Sequence, residues 1–125
     1  MNLSVNTLSF GAKILNTDGA GRVAKMLEIA SIYDYPLTNS INYMKLCENI
    51  NKIFPNDDDI VSFDSVKYKY FLNDTYKING TIIHGGKLKQ FGTICHCGDG
   101  SFVARKRILN SIKRAAGIKN TDSKR

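Results

Sequence analysis

At 125 residues, 42% of them hydrophobic and 23% charged, the chain has the size and make-up of one soluble globular domain with a buried core. Its formal charge is +7, and the excess is concentrated: residues 101–125 carry eight basic side chains against Asp122 alone, while residues 1–100 hold ten of each sign. Three cysteines make no complete disulfide framework, the start lacks a basic segment followed by an apolar run, and no stretch reaches the roughly 18 apolar residues of a membrane span. The expectation is a cytoplasmic protein with reduced thiols and no membrane contact, or one of the host cytoplasm or nucleus if the source is viral.

In chain order, Leu3, Val5, Leu8 and Phe10 partly alternate, which predicts a short edge strand, and Asn16, Thr17, Asp18 and Gly19 read as a turn. From Gly21 to about Tyr33, Val23, Met26, Leu27, Ala30 and Tyr33 recur at helical spacing. The Gly19-Ala20-Gly21 run offers backbone N–H groups of the kind that cradle phosphate. It lacks the full spacing of a dinucleotide or P-loop fingerprint, so a flexible start to the helix is the better reading. Tyr35-Pro36 interrupts the pattern, and Thr38 or Asn39 is placed to cap a second helix with Tyr43, Leu46, Cys47, Ile50, Ile53 and Phe54 in one stripe, ending before Pro55. Asn56 to Asp59 reads as a solvated acidic loop.

From Asp64 the period shortens to two: Val66, Tyr68, Tyr70 and Leu72 alternate with Lys67, Lys69 and Phe71. Thr75–Ile78 and Thr81–His84 flank Asn79-Gly80, a strong hairpin signal, Gly85-Gly86 supplies the next turn, and Lys87 to Cys97 continues around Gly92. After Gly98-Asp99-Gly100, Ser101 is positioned as an N-cap. The following helix gathers Ala104, Ile108, Leu109, Ile112, Ala115 and Ala116 on one side and Lys106, Arg107, Lys113 and Arg114 on the other. The expected class is α+β: two N-terminal helices, an antiparallel meander of three to five strands, and one C-terminal basic amphipathic helix. Residues 1–118 form a single compact domain and 119–125 a disordered basic tail.

Cys95, His96 and Cys97, with His84 upstream, include metal-ligating types. In a strand, however, the two cysteines point to one face and His96 to the other, so two buried thiols and an outward histidine are expected, with no metal or cofactor. The lysines and tyrosines of 66–77 (Lys67, Tyr68, Lys69, Tyr70, Tyr76, Lys77) interleave as a stacking platform for single strands would, though tyrosines half-buried under helices give the same pattern. Arg105, at the edge of the apolar arc, is suited to pair with an acidic residue of the body.

The run NGTIIHGGKLKQFGTICHCGDGSF, followed by a helix and Ala116-Gly117, is similar to SAND domains, chromatin-associated DNA-binding modules, over less than a third of the chain. The Lys-Asn-Trp-Lys element by which that family contacts DNA is missing, since the chain has no tryptophan. No residue role is therefore carried over from it.

A neutral body with a basic helix and tail is the electrostatic footprint of a protein that meets a polyanion. The expected function is binding of nucleic acid, DNA before RNA, with phosphate contacts from Lys106, Arg107, Lys113 and Arg114 and a base-edge contact from Asn110. The alternative is a phage- or viral-type effector that docks on an acidic protein surface of its host. Third is a metal-independent endoribonuclease drawing on His84, His96, Lys87, Lys89 and Arg105.

Overall fold

Thr17 does more than turn the chain. With extended backbone (φ −101°, ψ 170°), its Oγ1 accepts the Ala20 N–H at 3.0 Å and donates to the Phe63 carbonyl at 2.7 Å, so one hydroxyl caps a helix and ties it to a strand. The computed structural model describes residues 11–34, 42–69 and 74–118. In it, β1 (Lys13–Ile14) leads to α1 (Asp18–Ser31), α2 (Asn42–Ile53), strands β2 (Ile60–Lys69), β3 (Thr75–His84) and β4 (Lys87–His96), a 3-10 turn (Cys97–Asp99) and α3 (Ser101–Ala115). The first helix thus begins three residues before the position its periodicity suggests, because the cap lies in what reads as a turn. The edge strand expected at Leu3–Phe10, the caps at Thr38 or Asn39, the continuation through Tyr70 and Leu72, and the 119–125 tail lie outside the described residues.

The α+β class holds, with two corrections. The sheet runs β1-β2-β3-β4, and its first pairing is parallel, Lys13 with Ile60 and Ile14 with Val61, so it is mixed. A strand also precedes the helices. The remaining pairings form the antiparallel meander, from Ile60↔Ile83 to Lys69↔Thr75 and from Thr75↔His96 to His84↔Lys87. A bulge between Phe63 and Ser65 inserts Asp64, whose carboxylate accepts the hydroxyls of Ser62 (2.7 Å) and Thr81 (2.6 Å).

Asn79-Gly80, expected as a hairpin turn, lies inside β3. Gly80 sits between Phe63 and Phe91 in the ladder, and a Cβ there would fall 2.3 Å from the Phe91 ring and 2.3 Å from the Ser62 carbonyl. The two phenyl rings meet edge to face, with centroids 5.8 Å apart. Packing, not turn geometry, sets this glycine. The turn is Gly85-Gly86, both at positive φ (60° and 79°) as a type I′ hairpin requires. Buried Asp59 clamps it: His84 Nδ1 lies 2.7 Å from Asp59 Oδ2, and the Gly85 N–H donates to Oδ1 at 3.2 Å. The acidic loop therefore has one structural carboxylate among solvated neighbours.

Val61, Phe63, Val66, Ile78, Ile82, Phe91 and Cys95 turn one sheet face to the core, which α1 and α3 cover, and α2 packs on both of those helices. The close approach of α1 depends on Gly19, where a Cβ would lie 2.1 Å from the Phe63 carbonyl oxygen. Lys67, Lys69, Lys77 and Ile94 occupy the alternate positions of their strands and are exposed.

Candidate nucleic-acid interface

The basic helix is capped from outside its own sequence. Asp34, three residues past α1, accepts the Ser101 N–H at 2.7 Å through Oδ1 and the Ser101 hydroxyl through Oδ2, and that hydroxyl lies 3.0 Å from Asn42 Oδ1. Ser101, expected to be the cap, is itself the capped residue and is buried. Gly100 makes room: it holds φ +92°, and a Cβ there would sit 2.8 Å from Asp34 Oδ1. A carboxylate facing this end also complements the helix dipole. One node therefore joins the C-terminal side of α1, the start of α2 and the start of α3.

Ala104, Ile108, Ser111 and Ile112 form the buried stripe of α3, which lies against β4. The helix ends in a Schellman turn: Gly117, at φ +79°, donates its N–H to the Arg114 carbonyl at 3.1 Å, and Ile118 donates to Lys113 at 2.9 Å. Lys106, Arg107 and Arg114 are exposed, as the wheel predicts, whereas Asn110, expected on the same face, is half-buried. Lys113 departs from expectation, for only 8% of it is exposed. Its position beside the buried Ile112, at the turn where the Ile118 N–H bonds back to its carbonyl, is consistent with a lysine that buries its stem and keeps only its end in solvent. Arg107 and Arg114 have no acidic partner within bonding distance among the described residues.

Arg105 is not part of that exposed row. Its guanidinium lies 5.7 Å from the Phe102 ring centroid, burial lowers its pKa, and the negative charge of Asp34 acts in the opposite direction. It lies in the field of a body carboxylate but forms no ion pair with an acidic side chain among the described residues, so the pairing its position on the wheel suggests is not seen, and its Nε is buried without a hydrogen-bond partner.

The cysteines serve the scaffold. Cys95 Sγ donates weakly to the Ala104 carbonyl (3.7 Å) and Cys97 Sγ to the Met26 carbonyl (3.8 Å), fastening the end of β4 to α3 and α1. Burial pushes the Cys95 thiol up to about 12 and those of Cys47 and Cys97 up to about 11. His96 points the other way, with Nδ1 2.8 Å from Thr75 Oγ1. His84 and His96 lie at opposite ends of the β3–β4 hairpin, so the two histidines of the ribonuclease reading do not converge. Among the described residues no three His, Cys, Asp or Glu side chains come together in a metal-holding group, and no helix is long and apolar enough to cross a membrane.

The lysine–tyrosine alternation is split by the strand's own period. Lys67, Lys69 and Lys77 fall on one face, while Tyr68 and Tyr76 fall on the helix-covered face, ring centroids 5.0 Å apart. Tyr70 lies outside the described residues. The two rings form one wall of a cleft of about 360 Å³, with Met26 and Val66 at its floor and Gly21, Arg22 and Lys25 of α1 opposite. Sequence reading misses this cleft because its halves lie far apart in the chain. The only local signal is Gly21, a glycine inside a helix with no positive φ to explain it. The neighbouring backbone is not a phosphate cradle, since the Ala20 and Gly21 N–H groups already donate to Thr17 Oγ1 and Thr17 O.

No family model, curated protein or solved structure matches the chain.

Proposed function

We propose that this protein binds nucleic acid, duplex DNA in the first instance, across the exposed side of α3. The observation that carries the reading is the row Arg107, Asn110, Arg114, spaced i, i+3, i+7 outside the buried stripe, with both guanidinium groups free of acidic partners among the described residues. The two arginines stand roughly 10 Å apart along the axis, about three base-pair steps at 3.4 Å each. They and Lys106 meet phosphates, and Asn110 between them reaches toward a base edge. Lys113 contributes its stem to packing and its charge to the C-terminal end of the helix dipole.

Binding of a short duplex measured across a salt series tests the reading. Three phosphates neutralised by α3 give a slope of log K against log salt of about −3, and replacing Arg107 and Arg114 with alanine flattens it by about 2. A flat dependence, or no binding at low salt, removes nucleic acid as the partner and leaves the acidic protein surface.

A further inference from the structure

We infer that the cleft between α1 and the Tyr68–Tyr76 pair is a binding site for a single nucleotide unit, its base against the tyrosine rings and its phosphate on Arg22 and Lys25. This rests on the nucleic-acid reading for the class of ligand, and it adds a place for an unpaired base to the phosphate contacts of α3. Four observations carry it. The volume of about 360 Å³ lies within the range of roughly 300–1,000 Å³ typical of small-ligand sites. Two aromatic rings tilted by 47° line one side, and Tyr68 keeps 49% of its surface exposed although its phenol is anchored to Asp74 Oδ1 at 2.8 Å. An anchored ring that stays half exposed is suited to stacking.

The opposite rim is cationic. Arg22 and Lys25, three residues apart on α1, are exposed and have no acidic partner among the described residues, although Asp18 and Glu28 share their helix. Gly21 supplies the fourth observation. A glycine weakens a helix interior relative to alanine, and this one is forced neither by positive φ nor by close approach: a Cβ there meets nothing within 4 Å. Gly19, two residues earlier, is fully explained by the Phe63 carbonyl. Gly21 lines the cleft, where its lack of a side chain leaves the space open.

The chain has six tyrosines and no tryptophan, so its intrinsic emission reports directly on tyrosine. The test titrates the full chain with a short oligo(dA) strand, with adenosine monophosphate and with a blunt duplex. Gly21→Leu fills the cleft and Tyr68→Ala removes the stacking face. Each weakens oligo(dA) binding about fivefold or more while duplex binding stays as in the parent. The Arg22→Ala, Lys25→Ala pair weakens it too, and the Arg107→Ala, Arg114→Ala pair acts mainly on the duplex. Monophosphate binding that Gly21→Leu abolishes makes the free nucleotide a ligand as well, whereas binding of the strand alone makes the strand the source. Loss of duplex binding with the cleft effects intact overturns the helix reading and upholds this one. Oligo(dA) binding that is absent, or that ignores both Gly21→Leu and Tyr68→Ala in variants melting as the parent does, overturns the cleft proposal whatever the duplex does.

Discussion

The carboxylate of Asp34 takes both the backbone N–H and the side-chain hydroxyl of Ser101, so the first turn of α3 is held by a residue 67 positions earlier in the chain. Any surface that α3 presents is therefore oriented by the end of α1, and a change at Asp34 reaches the arginine row without touching it. Asp34→Ala leaves the N–H of a buried serine without its acceptor, while the hydroxyl keeps Asn42 Oδ1, and should cost about 2 kcal/mol in urea denaturation. Asp34→Asn keeps an acceptor oxygen but loses the charge facing the helix dipole and Arg105, so its cost should be smaller, about 1 kcal/mol.

Gly80 and Gly85 should respond in opposite ways to a side chain. Gly80→Ala drives a methyl group into the Phe91 ring and the Ser62 carbonyl and should destabilise by about 3 kcal/mol, near the upper end for overpacking. Gly85→Asn places a residue tolerant of positive φ in open space, and its melting temperature should stay within a few degrees of the parent.

The buried thiols give an alkaline signature. Burial raises Cys95 from 9.0 to about 12 in the folded chain, so its contribution to stability is complete below pH 9 and is lost as pH climbs toward 12, where only the unfolded thiol has released its proton. Urea midpoints measured from pH 8 upward should fall, and fall less steeply in Cys95→Ala. Native thiols should also resist a disulfide reagent at pH 8 and react once urea unfolds the chain.

Lys113 and the arginine row should separate packing from binding. Arg107→Ala with Arg114→Ala alters exposed positions and should change stability by less than about 0.5 kcal/mol while weakening duplex binding. Lys113→Ala deletes a buried stem and should cost about 1 kcal/mol with little change in salt slope. Ile112→Ala, in the buried stripe, should cost roughly 2–4 kcal/mol and leave the affinity of the folded fraction unchanged.

What could be read from the chain were features carried by local period. The stripe of α2, its stop before Pro55, the apolar side of α3 and the inward cysteines all follow from 3.6- or 2-residue spacing. Features decided by distant partners could not be read. Asn79-Gly80 has turn chemistry and lies in a strand because Phe63 and Phe91 need the space; Ile60 to Phe63 belong to a strand whose partners are Lys13, Ile14 and β3. At the candidate site, the wheel's exposed arc holds for Lys106, Arg107 and Arg114 but not for Asn110, which is half-buried, or Lys113, which is buried. The cleft was illegible because helix and strand periods each account for Gly21, Arg22, Tyr68 and Tyr76 separately and say nothing of their juxtaposition.

The two-residue strand β1 has a consequence for the order in which the molecule assembles. Lys13 and Leu15 donate to the Asp59 and Val61 carbonyls only after the whole of α1 and α2 has been looped back, whereas β2, β3 and β4 are joined by short connections and α3 follows β4 directly. Closing that long loop costs entropy that the β1–β2 pairing and the bond from Ala12 to Phe54 repay late. The meander with α3 should form the nucleus, and β1 should be the last element to dock and the first to leave. In native-state hydrogen exchange the amides of Lys13 and Leu15 should then open at free energies well below those of Ile78 and Ile82 at the centre of the sheet.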